Sequence, residues 1–317
     1  MSANDNSRPK VGHKLAHFTT PIASARQYMR CYGMEPTRRL VIAGLTATGL
    51  AVGTRSTHAQ QVSPDVTPEQ RAKYEAMRAR MMAAIPYERI TVPGAQALAE
   101  WQKLKNAGRG WPVIIGGDED LERIADQFTM ADPNVSGVAI PDLKVRSPKE
   151  ILAAAAKVTF PADLRKWSGA YQADDLRAPL GDWPAKLEAG PPDPSVATDM
   201  VSGKFYDRVH ILLIPTEFGW EVPAYLRWGD WNACPPAEYH VAALRSWHSD
   251  FAADLIGLNG DTINLRAASR PKTRESAMKL ARDQYAYCPD IIDQGVGTIS
   301  ALAAALMASD WWYLWWD

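Results

Sequence analysis

The sequence predicts a mixed α/β (α+β) protein, and three observations carry that prediction. Helix and strand signals alternate as α-β-α-β-α over residues 67–128. A second series reads β-α-β-β-α-(α)-β over residues 209–316. The chain then closes on Trp311-Trp312-Tyr313-Leu314-Trp315-Trp316-Asp317, which places four of its twelve tryptophans in the last seven residues. So much aromatic surface is costly to expose, so the tail is expected to be an ordered final strand and not a frayed end.

Thr67 to Ala84 reads as a helix, with Thr67 as N-cap, Pro68 at the first position and Glu69-Gln70 in the first turn. Tyr87 to Val92 follows as a strand, and Ala95 to Lys105 as a helix with Leu98, Trp101 and Leu104 on one stripe. Pro112 to Ile115 is a short apolar strand stopped by Gly116-Gly117, after which Asp118 is expected to cap a helix through Phe128. Two glycines before a helix could suit an anion, but no complete phosphate-loop or dinucleotide fingerprint surrounds them, and a plain turn is the simpler reading. Ser147-Pro148-Lys149-Glu150 has capping-box spacing and opens a helix to Val158. Residues 171–200 lose periodicity and gather proline, glycine and aspartate, which is linker composition. The expected plan is a signal region (1–59), a small α/β domain (60–170), a linker (171–200) and a C-terminal domain (201–317).

In the C-terminal region Val209 to Ile214 is an apolar strand, and Pro235 to Ser249 a helix with Ala237, His240, Val241, Leu244 and Trp247 on its stripe. Asp254 to Leu258 and Thr262 to Ala267 flank Asn259-Gly260, a hairpin signal because these residues tolerate positive φ. Thr273 opens a helix with Ala277, Leu280, Ala281, Gln284 and Cys288 on one face, stopped by Pro289, and Thr298 to Met307 forms one more. This succession matches a split βαβ, ferredoxin-like plan with an extra helix. In the last strand Trp311, Tyr313 and Trp315 alternate with Trp312, Leu314 and Trp316, so both faces are expected to be covered.

Arg38-Arg39, a mildly apolar run over residues 40–52, and Thr57-His58-Ala59 have the layout of a twin-arginine export signal cut after Ala59, with Met34 as an alternative start. The apolar run is shorter than the roughly 20 residues needed to span a bilayer, so no membrane span is expected in the mature protein. The first 59 residues hold eight basic and two acidic side chains; their removal leaves 27 basic against 34 acidic and a net charge of −7. That balance disfavours nucleic acid and anionic lipid as partners.

Trp231-Asn232-Ala233-Cys234-Pro235, Leu244-Arg245-Ser246-Trp247, Gln284-Tyr285-Ala286-Tyr287-Cys288-Pro289-Asp290, Gln294-Gly295 and Trp315-Trp316-Asp317 together resemble the domain-of-unknown-function family numbered 4253, over roughly residues 205–317. Arg89-Ile90-Thr91-Val92-Pro93-Gly94 and Trp111-Pro112-Val113-Ile114-Ile115-Gly116 resemble the region that often precedes it. The resemblance implies a shared bacterial α/β domain and no reaction, ligand or catalytic residue.

Candidate chemistry centres on Cys234, Cys288, His210, His240 and His248, the cysteines and histidines left after cleavage. Two cysteines in an exported protein suit one disulfide, Cys234 to Cys288, contributing about 3–4 kcal/mol in the entropic view. Alternatively both are buried, inert thiols. Cys234, His240, His248 and Cys288 offer two sulfurs and two nitrogens for zinc, although their spacing is poor. Cys234 precedes a helix N-terminus and has His240 six residues on, the arrangement of a catalytic thiol and its base, whereas Cys288 ends a helix, where the dipole opposes a thiolate. Asp290 is expected to cap a turn; with Asp293, and with Asp261 or Asp317 as partner, it is a further acid–base candidate. Glu217, Trp220 and Trp228 are expected to pack or to line a pocket. The expected function is a periplasmic or secreted binding module for a protein or small-molecule ligand, without cofactor. The alternatives are a hydrolase or thiol enzyme using Cys234 and His240, and a metal-binding domain.

Overall fold

The computed structural model describes residues 67–136, 145–167, 177–187, 193–199 and 202–316. Arg38, Arg39 and Ala59 of the expected export signal, and Asp317, lie outside these residues. Helix α1 (Pro68–Ala84) starts at Thr67, whose hydroxyl accepts from the Gln70 N–H while the Gln70 side chain accepts from the Thr67 N–H. That reciprocal cap satisfies two otherwise orphaned donors. Then come β1 (Glu88–Val92), α2 (Ala97–Ala107), β2 (Trp111–Gly116), α3 (Asp118–Thr129), the short α4 (Pro133–Ser136) and α5 (Pro148–Ala155), itself capped by Ser147 and Glu150. The second half contributes β3 (Val209–Ile214), α6 (Val222–Leu226), α7 (Ala237–Phe251), β4 (Ala253–Leu258), β5 (Thr262–Ala267), α8 (Arg274–Tyr287), α9 (Ile299–Ala308) and β6 (Trp311–Trp315).

The six strands form one mixed sheet in the order β1-β3-β2-β4-β5-β6, parallel between β2 and β4 and antiparallel elsewhere. The α+β class is as predicted, but the strand order is not that of a self-contained split βαβ. In such a unit β3, β4, β5 and β6 would neighbour only one another, whereas β2 separates β3 from the other three. The cause is apolarity: β2 and β3 are buried along their whole length, and strands of that kind sit inside a sheet with both edges paired.

The expected division at 171–200 therefore does not divide the sheet. Strands from both sides of it share one core, in which Trp101, Ile114 and Leu121 join Leu212, Trp247 and Trp312. The described parts of that stretch are docked on this body. The Val196 N–H donates to Asn264 Oδ1 at 3.1 Å, and the Ile299 and Ser300 N–H groups donate to the Pro179 and Leu180 carbonyls.

Two local expectations are corrected. The hairpin at Asn259-Gly260 forms, but neither residue has positive φ. Instead Asn259 Oδ1 accepts from the Asp261 and Thr262 N–H groups at 3.1 and 2.9 Å, so an Asx turn closes it. Strand β6 is an edge strand with one covered face. Trp312, Leu314 and Trp316 are buried against the helical layer of Trp247, Phe251 and Tyr287, while Tyr313 is 36% exposed and Trp311 and Trp315 are half-buried.

Candidate functional site

The strained turn from Arg227 to Asn232 brings the family-like motif residues together. Arg227, Asp230 and Asn232 have φ of 52°, 71° and 47°, and Gly229 has 114°. A Cβ at Gly229 would lie 2.1 Å from the Pro235 carbonyl oxygen and 2.7 Å from His240 Nε2, so only glycine lets the turn fold back beneath α7. Cys234 Sγ consequently sits 3.4 Å from His240 Nε2, and the Tyr287 hydroxyl bonds His240 Nδ1. Trp228, Tyr287 and Trp316 all present edges or faces to the imidazole.

The Cys234–His240 fold-back predicted for a thiol enzyme is thus formed, but in the wrong medium. Both residues are 0% exposed and Tyr287 is 1%. Burial lowers the His240 pKa to about 3 and pushes the Cys234 thiol and the Tyr287 hydroxyl well above their ordinary values. Neutral thiol next to neutral imidazole, with no opening to solvent, is packing chemistry and not nucleophile chemistry.

Of the other readings, the buried, unbridged thiols are what the structure shows, since Cys234 and Cys288 are both free and 0% exposed. The expected bridge is not formed, and Cys288 Sγ instead donates to the Trp315 carbonyl at 2.8 Å. His248 points elsewhere, with Nδ1 2.9 Å from Asp254 and its ring against Trp220, so the four zinc candidates do not converge. Among the described residues no group of three or more His, Cys, Asp or Glu side chains could hold a metal. Asp290 accepts from Gln294 Nε2 at 2.9 Å, closing the turn after α8 as expected. Asp293 accepts from the Tyr285 hydroxyl and Asp261 pairs with Arg123. Glu217 is exposed, Trp220 is half-buried against His248, and Trp228 is buried against His240 and Trp316.

A second titratable group gathers where the sequence predicts only a turn. His210 on β3 lies opposite Thr91 on β1, with Nδ1 3.0 Å from Thr91 Oγ1 and Nε2 2.7 Å from Asp118 Oδ1. Asp118 enters this position because β2 ends at Gly116-Gly117 and turns directly into α3. Gly117, not Asp118, is the N-cap residue, and its N–H is taken by Asp120 Oδ2 at 3.0 Å, so this helix end already binds a carboxylate of its own. Asp118 also accepts from Arg208 at 3.0 Å and lies 3.6 Å from Arg78.

Burial holds His210 below the ordinary histidine value despite the neighbouring carboxylate. For Asp118 burial works the other way, but the His210 hydrogen bond and the Arg208 and Arg78 charges outweigh it and lower the pKa. At neutral pH the carboxylate is therefore ionised and the imidazole neutral. Nε2–H then donates to Asp118, and the Nδ1 lone pair accepts from the Thr91 hydroxyl. His210 is 3% exposed, yet Thr91 is exposed.

Residues 210–317 match the family described as Domain of unknown function (DUF4253). The domain of unknown function begins at His210 and contains Cys234, His240, Tyr287 and the tryptophan strand, whereas Thr91 and Asp118 precede it. Cys234, His240, Tyr287 and Trp316 of the matched region meet in the buried cluster and belong to the core. No curated protein and no solved structure matches the chain.

Proposed function

We propose that this is an exported binding protein that seats an anionic small molecule between α2 and the β4–β5 end of the sheet. One observation supports the seat: an open groove of about 840 Å³ is lined by Trp101, Lys105, Asp254, Arg266, Arg270 and Asp310. Its carboxylates are engaged, Asp254 with His248 and Asp310 with Arg266. Lys105 and Arg270 line the same groove without a carboxylate partner among the described residues. Lys105 lies 3.8 Å over the Trp111 ring, and Arg270 donates to the Ala308 carbonyl at 2.7 Å. Two such cations on one groove favour a ligand that carries a negative group.

Export rests on the Arg38-Arg39 signal layout and the Ala59 cleavage position. Isothermal titration of the purified chain with benzoate, indole-3-acetate and phosphate tests the seat. Binding that is lost in the Lys105→Ala/Arg270→Ala variant is expected, and no heat with any of the three anions would sink the reading. Export is tested by the N-terminal residue of periplasmic protein, expected at Gln60, and by its loss in Arg38→Lys/Arg39→Lys.

A further inference from the structure

We propose that Thr91, His210 and Asp118 form a catalytic relay that hydrolyses small anionic carboxylic esters through an acyl intermediate on Thr91. This does not depend on the groove, which is formed by other strands. The arrangement has three of the parts that acyl transfer uses: a hydroxyl on an exposed residue, a base bonded to it, and a carboxylate that orients the base. Each part comes from a different element and is fixed by the sheet. Thr91 and Gly116 are the cross-strand neighbours of His210 on its two sides, and Asp118 follows Gly116 by two residues. The base is buried while Thr91 is an exposed residue on the edge strand β1, so a substrate would approach from that side of the sheet.

In the first half-reaction Thr91 Oγ1 attacks the ester carbonyl and its proton passes to His210 Nδ1. The Asp118 carboxylate holds the resulting imidazolium through Nε2–H. The tetrahedral adduct collapses as the C–O bond to the alcohol breaks, and His210 returns its proton to the leaving oxygen. Water then attacks the Thr91 ester with His210 again as base, releasing the carboxylic acid and restoring the hydroxyl.

The substrate class follows from the charges around the imidazole. Asp118 and Glu122 come from α3, Arg78 from α1, Arg208 from the segment before β3, and Arg89 from β1. Asp118 is engaged with His210, and Glu122 is paired with Arg78. Arg89, two residues before Thr91, shares its face of the strand and is exposed, as is Arg208. An acyl group bearing a second carboxylate would meet Arg89 as it reached Thr91, with Arg208 beside it held on Asp118 at 3.0 Å.

The full chain is to be assayed with 4-nitrophenyl crotonate and with the mono-4-nitrophenyl ester of fumaric acid, whose trans carboxylate cannot close onto its own ester. Turnover above buffer is expected with both, faster with the fumarate. Peptide mapping after acid quench is expected to place the acyl group on Thr91. Thr91→Val and His210→Gln should each lower the rate by at least about 100-fold, whereas Thr91→Ser should keep turnover, and circular dichroism should show the parent fold. The parent rate should rise with pH through a value below that of an ordinary histidine. No turnover above buffer, an acyl group mapped to another residue, or a folded Thr91→Val that works like the parent would each overturn the proposal. If Thr91→Val does not fold, the peptide map and Thr91→Ser decide.

Discussion

His240 and His210 each have both ring nitrogens engaged by side chains, and they live in different media. His240 bonds a thiol on one side and a phenol on the other, and His210 a hydroxyl and a carboxylate. Around His240 every partner is buried with it, in a cage of Trp228, Tyr287 and Trp316. Around His210 one partner reaches solvent and another carries a charge held by arginines. Hydrogen-bond geometry alone would rank the two alike. Access and the charge of the second partner separate a core from a candidate for chemistry.

The comparison can be broken most forcefully at the cage. Trp316→Ala removes the ring shared by Trp228, His240 and Tyr287 and should cost about 3–5 kcal/mol in urea unfolding. A loss below about 1 kcal/mol would mean that the cluster is not the core it is taken for. Acid probes the same residue. The His240 pKa falls from 6.5 to about 3 on folding, so below 6.5 the unfolded chain binds more protons and stability drops as pH falls. About 3 kcal/mol should be lost by pH 4, a loss that His240→Gln should remove. His210 and Asp118, both lowered in the fold, add losses of the same sign, in the histidine and carboxylate ranges respectively.

Smaller effects sharpen the contrast. Cys234→Ala should cost about 1–2 kcal/mol and leave ester turnover as it was. The native thiols should react with a disulfide reagent far more slowly than in urea, and fast labelling of Cys234 would contradict its burial. At the exposed end, Arg208→Ala should change stability by less than about 1 kcal/mol, because its ion pair with Asp118 is open to water. A larger destabilisation there would make the relay a structural clamp.

What the sequence disclosed was mainly local. Thr67, Ser147 and Thr273 mark helix starts in the sequence, and all three cap their helices, pairing with Gln70, Glu150 and Ser276 three residues on. The apposition of Cys234 and His240 was legible for the same reason, since they are six residues apart. Burial was one of several readings that the sequence left open, because it depends on Trp316 arriving from the far end of the chain. The relay was hidden by distance: Thr91 and Asp118 lie 119 and 92 residues from His210. The nearest local hint was Gly116-Gly117 followed by Asp118, which reads as a turn until the neighbouring strand is known. Strand order was hidden because the apolar runs of β2, β3 and β4 look alike, so nothing local says which two flank β3.

The placing of β3 between β1 and β2 has a consequence for how the chain is made. The two outer strands leave the ribosome first, and the one that belongs between them is separated from β2 by the whole stretch from Gly117 to Arg208. Until that stretch exists, β1 and β2 have no correct partner, and joining each other would close the gap that β3 must fill. Such long-range closure slows folding and prolongs the exposure of apolar edges. For this chain the hazardous interval is the one before Val209–Ile214 is synthesised, and a helper that shields strands would act then.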